Sequence, residues 1–142
     1  MIRQTFGVWL ALLCVSALVV PKVLYWGRAG SPKYSLWILL FILAVCTGLA
    51  AFGTIAVWIL PIRRVWLGIV GGVVAALGSV ALAAWLAMTL YGGFENNIGI
   101  FWGALSLAPG SCLAGAYAGV LRSRENQAVR RQSIGARLKP ES

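Results

Sequence analysis

The chain has 142 residues, of which 61% are hydrophobic and 11% are charged, and its formal net charge at pH 7 is +9. This composition excludes an ordinary soluble domain, in which about a quarter of the residues are charged. A chain of this length has room for one compact bundle of membrane helices.

Aspartate, glutamate, lysine and arginine are confined to short segments, and four long intervals contain none of these residues and no histidine. These intervals comprise 18, 29, 30 and 26 residues and lie at positions 4–21, 34–62, 65–94 and 96–121. About 20 apolar residues cross the hydrocarbon core of a bilayer, and an unpaired charge there is costly. We therefore predict an all-α fold, a polytopic membrane protein with four transmembrane helices in an antiparallel bundle.

The first span is predicted at about residues 5–24. Pro21 is expected to end its helix, because proline donates no backbone hydrogen bond. Arg3, the apolar run behind it and the small residues 16–17 also fit a cleavable secretory signal. We favour a retained helix, since apolar residues continue past the cleavage point and the aromatic residues 25–26 would anchor the far interface.

The second and third spans are predicted at about residues 34–60 and 65–91. Trp37 and Trp58 are 21 positions apart. That separation corresponds to about 31 Å of helix at 1.5 Å per residue, which matches the hydrocarbon thickness. Aromatic residues at both ends of a span are typical of the two membrane interfaces.

The fourth span is predicted at about residues 98–121, followed by a basic cytoplasmic tail, 122–142, that is mobile beyond its first turns. Pro109 removes the hydrogen bond to the carbonyl of Leu105 and is expected to kink this span. Ser106 and Ser111 are placed to bond the backbone groups that the kink frees.

The distribution of lysine and arginine predicts the orientation. With both termini in the cytoplasm, nine cations lie inside and three, Lys22, Arg28 and Lys33, lie outside. Three cations on a translocated loop are more than the positive-inside rule prefers. We expect an integral protein of the plasma membrane, the inner membrane of a bacterium. The cations expected to contact lipid headgroups are Arg63, Arg64, Arg122 and Arg124.

Small residues form a stripe along the third span and another along the fourth. Stripes of this kind let membrane helices approach closely. We expect spans three and four to form a tight antiparallel hairpin along them. The stripe residues are Gly68, Gly72, Ala75, Ser79 and Ala83 in the third span, and Gly99, Gly103, Ser106, Gly110 and Ala114 in the fourth.

A second small pair on the fourth span, Gly115 and Gly119, points in another direction. One interpretation is that every small face packs within the monomer, since the spacing also arises by chance in a chain with 17 glycines. The other is that this pair, with Ala108 on a similar heading, meets a second subunit or another membrane protein. We favour the first interpretation.

The sequence contains no catalytic or metal-binding constellation. It has no histidine, and Cys14, Cys46 and Cys112 lie singly in apolar runs, where cysteine usually packs as a small apolar residue. We expect no cofactor and no enzymatic activity, since no base lies beside a nucleophile. Nucleic-acid binding is not expected either, because the tail has no aromatic residue to stack on bases.

By exclusion, we expect a non-catalytic interaction, accessory or assembly subunit. Its partners would be the lipid bilayer and a membrane protein or a second copy of the chain. The alternative is a small oligomeric transporter or channel with a path near Pro109. Its lining would be the hydroxyl side chains of Thr47, Thr54, Ser79, Ser106 and Ser111.

Overall fold

The computed structural model describes residues 2–24, 36–90 and 98–138, and the regular structure in these ranges is helical. The helices are α1 (Ile2–Leu24), α2 (Leu36–Ile59), α3 (Val65–Leu90) and α4 (Ile98–Leu138). Each is long and apolar enough to cross a membrane. The prediction of an all-α membrane protein with four transmembrane helices is confirmed. Arg28, Lys33, Glu95 and Lys139 lie outside the described residues.

Two predicted helix ends differ from the structure. α1 continues through Pro21, where its helix was expected to end, to Leu24, the last residue of the predicted span, and α4 continues beyond residue 121 to Leu138. In an apolar medium the backbone can bond only to itself, so a helix survives the loss of one bond at a proline. The basic tail, 122–142, was predicted to be mobile beyond its first turns. The structure shows residues 122–138 as a continuation of α4, since most of them are good helix formers and α4 already supplies the nucleus that a helix needs.

The bundle is built around α4, which packs most extensively against α3 and next against α1. α2 is held mainly by α1 and packs more sparsely against α3 and α4. Because the helices alternate in direction, the bundle has two ends. We call them the Arg122 end, which contains the start of α1 and the α2–α3 loop at residues 60–64, and the Pro21 end, where α1 and α3 finish.

Trp9 is the largest side chain of the core, and it is only 1% exposed. Its indole ring lies directly over Gly53 of α2, where any Cβ would collide with the ring. The tryptophan therefore fits between α1 and α2 only because residue 53 has no side chain. Large apolar side chains such as Trp37, Phe41 and Trp85 are exposed on the outside of the bundle, as expected for surfaces that face lipid.

α3 and α4 are in contact through four glycines near the Arg122 end. A Cβ built on Gly72 would fall on the backbone oxygen of Gly115, and one built on Gly68 would fall on that of Gly119. A Cβ on Gly115 or Gly119 would collide in the same way with the backbone of α3. The two backbones touch directly, and a side chain at any of these positions would separate them.

The pairing of the small faces differs from the one that the sequence suggested. α3 meets the Gly115 and Gly119 face of α4, which one interpretation assigned to a second subunit, and Gly110 on the other face lies against α1. At 100° per residue, Gly110 and Gly115 are about 140° apart around the helix. α4 has two small faces because it lies between two neighbours of the same chain.

The remaining stripe residues have different surroundings. Ser79 is buried, and Ala75 and Ala83 are half-buried against the core. Gly103 is exposed, with open space where its Cβ would be. Gly99 lies in the first turn of α4, and its surroundings fall outside the described part of the chain.

The glycine contact predicts a strong difference between two substitutions on α3. Gly72→Ala is expected to destabilise the protein by about 1–3 kcal/mol, because its Cβ must displace the backbone of Gly115. Gly78→Ala is the matched control, since a Cβ at Gly78 meets open space. It should leave stability unchanged or raise it slightly, because alanine is the better helix former. Unfolding by SDS in mixed micelles, followed by circular dichroism, measures both; equal effects would contradict a direct backbone contact.

Candidate interaction surfaces

Ser16 of α1 bridges two backbone groups of α4 beside Pro109. Its hydroxyl donates to the backbone oxygen of Ser106 and accepts from the backbone N–H of Gly110, with a distance of 3.2 Å between Gly110 N and Ser16 Oγ. Ser106 and Gly110 are four residues apart, so the bridge joins two consecutive turns. Gly110 permits it, because a Cβ there would come within 2.6 Å of Ser16 Cβ.

The helix α4 continues through Pro109 without interruption. Ser106 was predicted to bond a backbone group that the proline leaves free, such as the Leu105 carbonyl. Instead, its hydroxyl donates to the backbone oxygen of Trp102 at 2.8 Å. The preceding turn is the nearest acceptor for a serine in a helix, which explains the difference. The side chain that joins the turns around Pro109 is Ser16, from another helix.

Three of the five hydroxyl groups assigned to a polar path bond to their own helices. Like Ser106, Thr47 donates to the backbone oxygen of Leu43 at 2.7 Å, and Ser79 donates to that of Ala75 at 2.7 Å. The other two, Thr54 and Ser111, are buried. A hydroxyl that already donates to a backbone oxygen of its own helix contributes little to replacing the hydration shell of an ion.

A polar cluster at the Arg122 end ties α4 to the loop between α2 and α3. Asn126 Nδ2 donates to the backbone oxygen of Ile62 at 2.6 Å. The guanidinium of Arg122 lies 4.5 Å from the ring centroid of Trp58 and 3.3 Å from a carboxylate oxygen of Glu125. Arg122, predicted to contact lipid headgroups, is therefore engaged by groups of its own chain.

This cluster also contains donors that the described residues do not satisfy. Trp58 Nε1, Arg122 Nε and Ser123 Oγ are buried and find no hydrogen-bond partner in the described part of the chain. Leaving a buried polar group unpaired costs about 1–3 kcal/mol. Because these three donors are buried, a small molecule such as water is the acceptor that fits beside them without opening the bundle.

Three of the four predicted headgroup cations are exposed. Arg63 and Arg64 lie in the loop at residues 60–64, and Arg124 lies on the outer side of α4. Their exposure is compatible with contact to anionic headgroups, which stays a prediction.

The last part of α4 projects beyond the bundle. Every residue from 127 to 138 is exposed, including the apolar side chains of Val129, Ile134 and Leu138. Residues 122–138 contain five arginines and one glutamate, a net charge of +4. We call residues 127–138 the α4 extension. It is a basic helix whose whole circumference is open to a partner.

The cysteines occupy apolar surroundings. All three are free, and Cys46, which is fully buried, lies next to Cys14 across the α1–α2 interface. In residues 2–24, 36–90 and 98–138, no group of three or more histidine, cysteine, aspartate or glutamate side chains is placed to hold a metal ion.

Sequence reasoning missed two polar contacts that join helices, those of Ser16 and Asn126. Ser16 was considered only as a small residue near a cleavage point, although a hydroxyl in the middle of an apolar span is a known way to join membrane helices. Asn126 was assigned to the basic tail, for which no contact with the bundle was predicted. Its role depends on α4 continuing as a helix past the loop at residues 60–64.

No family model matches the chain, and neither the search of curated proteins nor the search of solved structures finds a match. The function is therefore argued from the geometry and chemistry of the chain itself.

Removal of the Ser16 bridge should weaken the α1–α4 interface. Ser16→Ala deletes two hydrogen bonds between helices and is expected to cost about 1 kcal/mol, since such bonds average about 0.6 kcal/mol in membranes. Ser79→Ala is the control, because Ser79 is also buried but bonds only within α3. SDS unfolding should separate the two variants; the bridge has no stabilising role if Ser16→Ala unfolds with the native protein.

Removal of the Asn126 contact should loosen the α2–α3 loop. Asn126→Leu frees the carbonyl of Ile62, and amide exchange at residues 62–68 is expected to accelerate about fivefold, the effect of one ordinary hydrogen bond. Gln127→Leu, at the exposed neighbouring position, should leave exchange unchanged. Hydrogen–deuterium exchange with mass spectrometry measures both. Unchanged exchange in the first variant would show that the loop is held by other contacts.

Proposed function

We propose that the protein is a non-catalytic interaction subunit of the bacterial inner membrane, with both termini in the cytoplasm, and that it docks a partner protein through the α4 extension. The observation that carries the proposal is the exposure of every residue of the α4 extension, 127–138. Inside the bundle, the small face of α4 at Gly115 and Gly119 is covered by α3 and Gly110 is covered by α1, whereas the extension is exposed on all sides.

The length of the extension favours a protein over the membrane surface as its partner. Residues 127–138 span about 18 Å at 1.5 Å per residue. The headgroup layer on each side of a bilayer is only about 5–8 Å thick. A helix that keeps the direction of α4 from the Arg122 end therefore projects through the headgroups into water.

The chemistry of the extension favours an acidic partner. The extension contains three arginines and no acidic residue, a charge of +3, which attracts an acidic surface and steers its approach, an effect that salt screens. The exposed apolar side chains of Val129, Ile134 and Leu138 offer area that a partner can cover.

We place the transporter or channel alternative second. Thr47, Ser79 and Ser106 bond to their own helices, which weakens the case for an ion path near Pro109; of the five hydroxyls, Thr54 Oγ1 is buried without a partner in the described part of the chain.

Charge reversal on the extension tests the proposal. The double variant Arg130→Glu, Arg131→Glu is expected to lose a stoichiometric acidic partner that co-purifies with the native protein, with affinity reduced at least tenfold at low salt, because attraction becomes repulsion. Native mass spectrometry after gentle extraction from the source membrane measures the complex.

The matched control is Arg130→Lys, Arg131→Lys, which keeps the charge and should keep the partner. High salt should release the partner from the native protein. Recovery of the chain with only lipid or further copies of itself would overturn the proposal, and a partner retained by the glutamate variant would move the docking site away from the extension.

A further inference from the structure

A cavity of about 540 Å³ lies between the four helices at the Pro21 end. Its floor is formed by Cys46, Leu49 and Val80, which are at most 7% exposed. Its rim includes Phe41, which is 68% exposed, and Gly103, which has open space beside its backbone. The cavity therefore runs from the core of the bundle to the outer surface that faces the bilayer.

The cavity exists because α3 and α4 carry small residues where they no longer touch. Between these helices its walls include Ala83, Ala84, Ala87, Gly103 and Ala104. Stripes of this kind bring α3 and α4 into contact at the Arg122 end. At the Pro21 end they leave space instead, and the sparse packing of α2 does not fill it.

The walls select an apolar ligand. The only hydroxyl among the described lining residues belongs to Ser106, and it already donates to the backbone oxygen of Trp102. Water gains little in such a cavity, while an empty one forfeits dispersion contacts along every wall. The volume lies in the range of small-molecule sites, about 300–1,000 Å³. An alkyl chain that enters from the bilayer meets all of these conditions.

The charge beside the cavity selects the headgroup. Pro21 lines the cavity, and the next residue, Lys22, is exposed at the same end of α1. The sequence places two more cations, Arg28 and Lys33, between α1 and α2. These are the three cations that the positive-inside rule leaves on the translocated side, where they are otherwise unexplained.

We propose that this cavity binds one acyl chain of an anionic phospholipid whose phosphate contacts Lys22. The chain would enter past Phe41 and Gly103 and end against Cys46 and Val80. The site is separate from the docking surface proposed for the α4 extension, which lies beyond the other end of the bundle.

Photo-crosslinking of the full chain in liposomes tests the proposal. The probes are phosphatidylglycerol and phosphatidylcholine that carry the same diazirine near the end of one acyl chain. With the phosphatidylglycerol probe, we expect crosslinks concentrated in the peptides that contain Cys46 and Val80. The yield should be about fivefold higher than with the phosphatidylcholine probe, because one basic residue near the membrane surface gives about that preference for an anionic lipid.

Two pairs of variants sharpen the test. Gly103→Phe fills the cavity and should abolish these crosslinks, while Gly78→Phe, at another open glycine outside the cavity, should not. Lys22→Gln should remove the preference for phosphatidylglycerol, while Arg3→Gln, an exposed cation at the other end of α1, should retain it. Circular dichroism identifies any variant that fails to fold.

The wild-type result is decisive even if a variant does not fold. Crosslinks spread evenly over the lipid-facing surface would overturn the proposal, and so would equal yields at Cys46 and Val80 from the two lipids. Crosslinks at these peptides that persist in folded Gly103→Phe would also overturn it.

Discussion

The direct contact between the backbones of α3 and α4 is the constraint on which the arrangement of the other helices depends. Apolar burial gives membrane helices no advantage over lipid, so close van der Waals contact has to supply the attraction. Gly68, Gly72, Gly115 and Gly119 bring the two backbones together by having no side chains. Once this face of α4 is occupied, its opposite face, at Gly110, is left for α1.

Glycine also permits close contact between α1 and α4 and between α1 and α2. Gly110 lets α1 approach α4 closely enough for Ser16 to bridge two turns, and Gly53 lets Trp9 fit between α1 and α2. The polar contacts are few and lie where backbone groups are accessible, beside Pro109 and at the α2–α3 loop. Close packing therefore positions the helices, and a few hydrogen bonds fix their register.

Small residues and cations have different surroundings at the two ends of the bundle. At the Arg122 end, small residues touch and the chain continues into a basic helix. At the Pro21 end, small residues border a cavity and the adjacent cation, Lys22, is exposed. We propose a protein partner in water for the first end and an apolar chain from the bilayer for the second.

Much of the fold was predictable from charge spacing, but less of the candidate sites was. The four uncharged intervals located every helix, because a charge inside the hydrocarbon is too costly to occur by accident. The end of α1 at Pro21 was wrong and the continuation of α4 through residues 122–138 was not predicted, since helix continuation depends on neighbouring turns as well as on single residues. The glycines were predicted to be packing residues, but one of the two interpretations assigned Gly115 and Gly119 to a second subunit, whereas they contact α3. A helical wheel shows which residues share a face of one helix, and it does not show which helix packs against that face.

The sequence by itself determined that the chain crosses a membrane four times as helices, since that follows from hydrophobicity and length along each segment. Only the tertiary structure decided which small face meets which helix, that Ser16 reaches across to α4, and that a cavity remains at the Pro21 end. These features depend on distances between residues that are far apart in the chain. Local composition specifies the helices, but their packing arises from the simultaneous fit of all four.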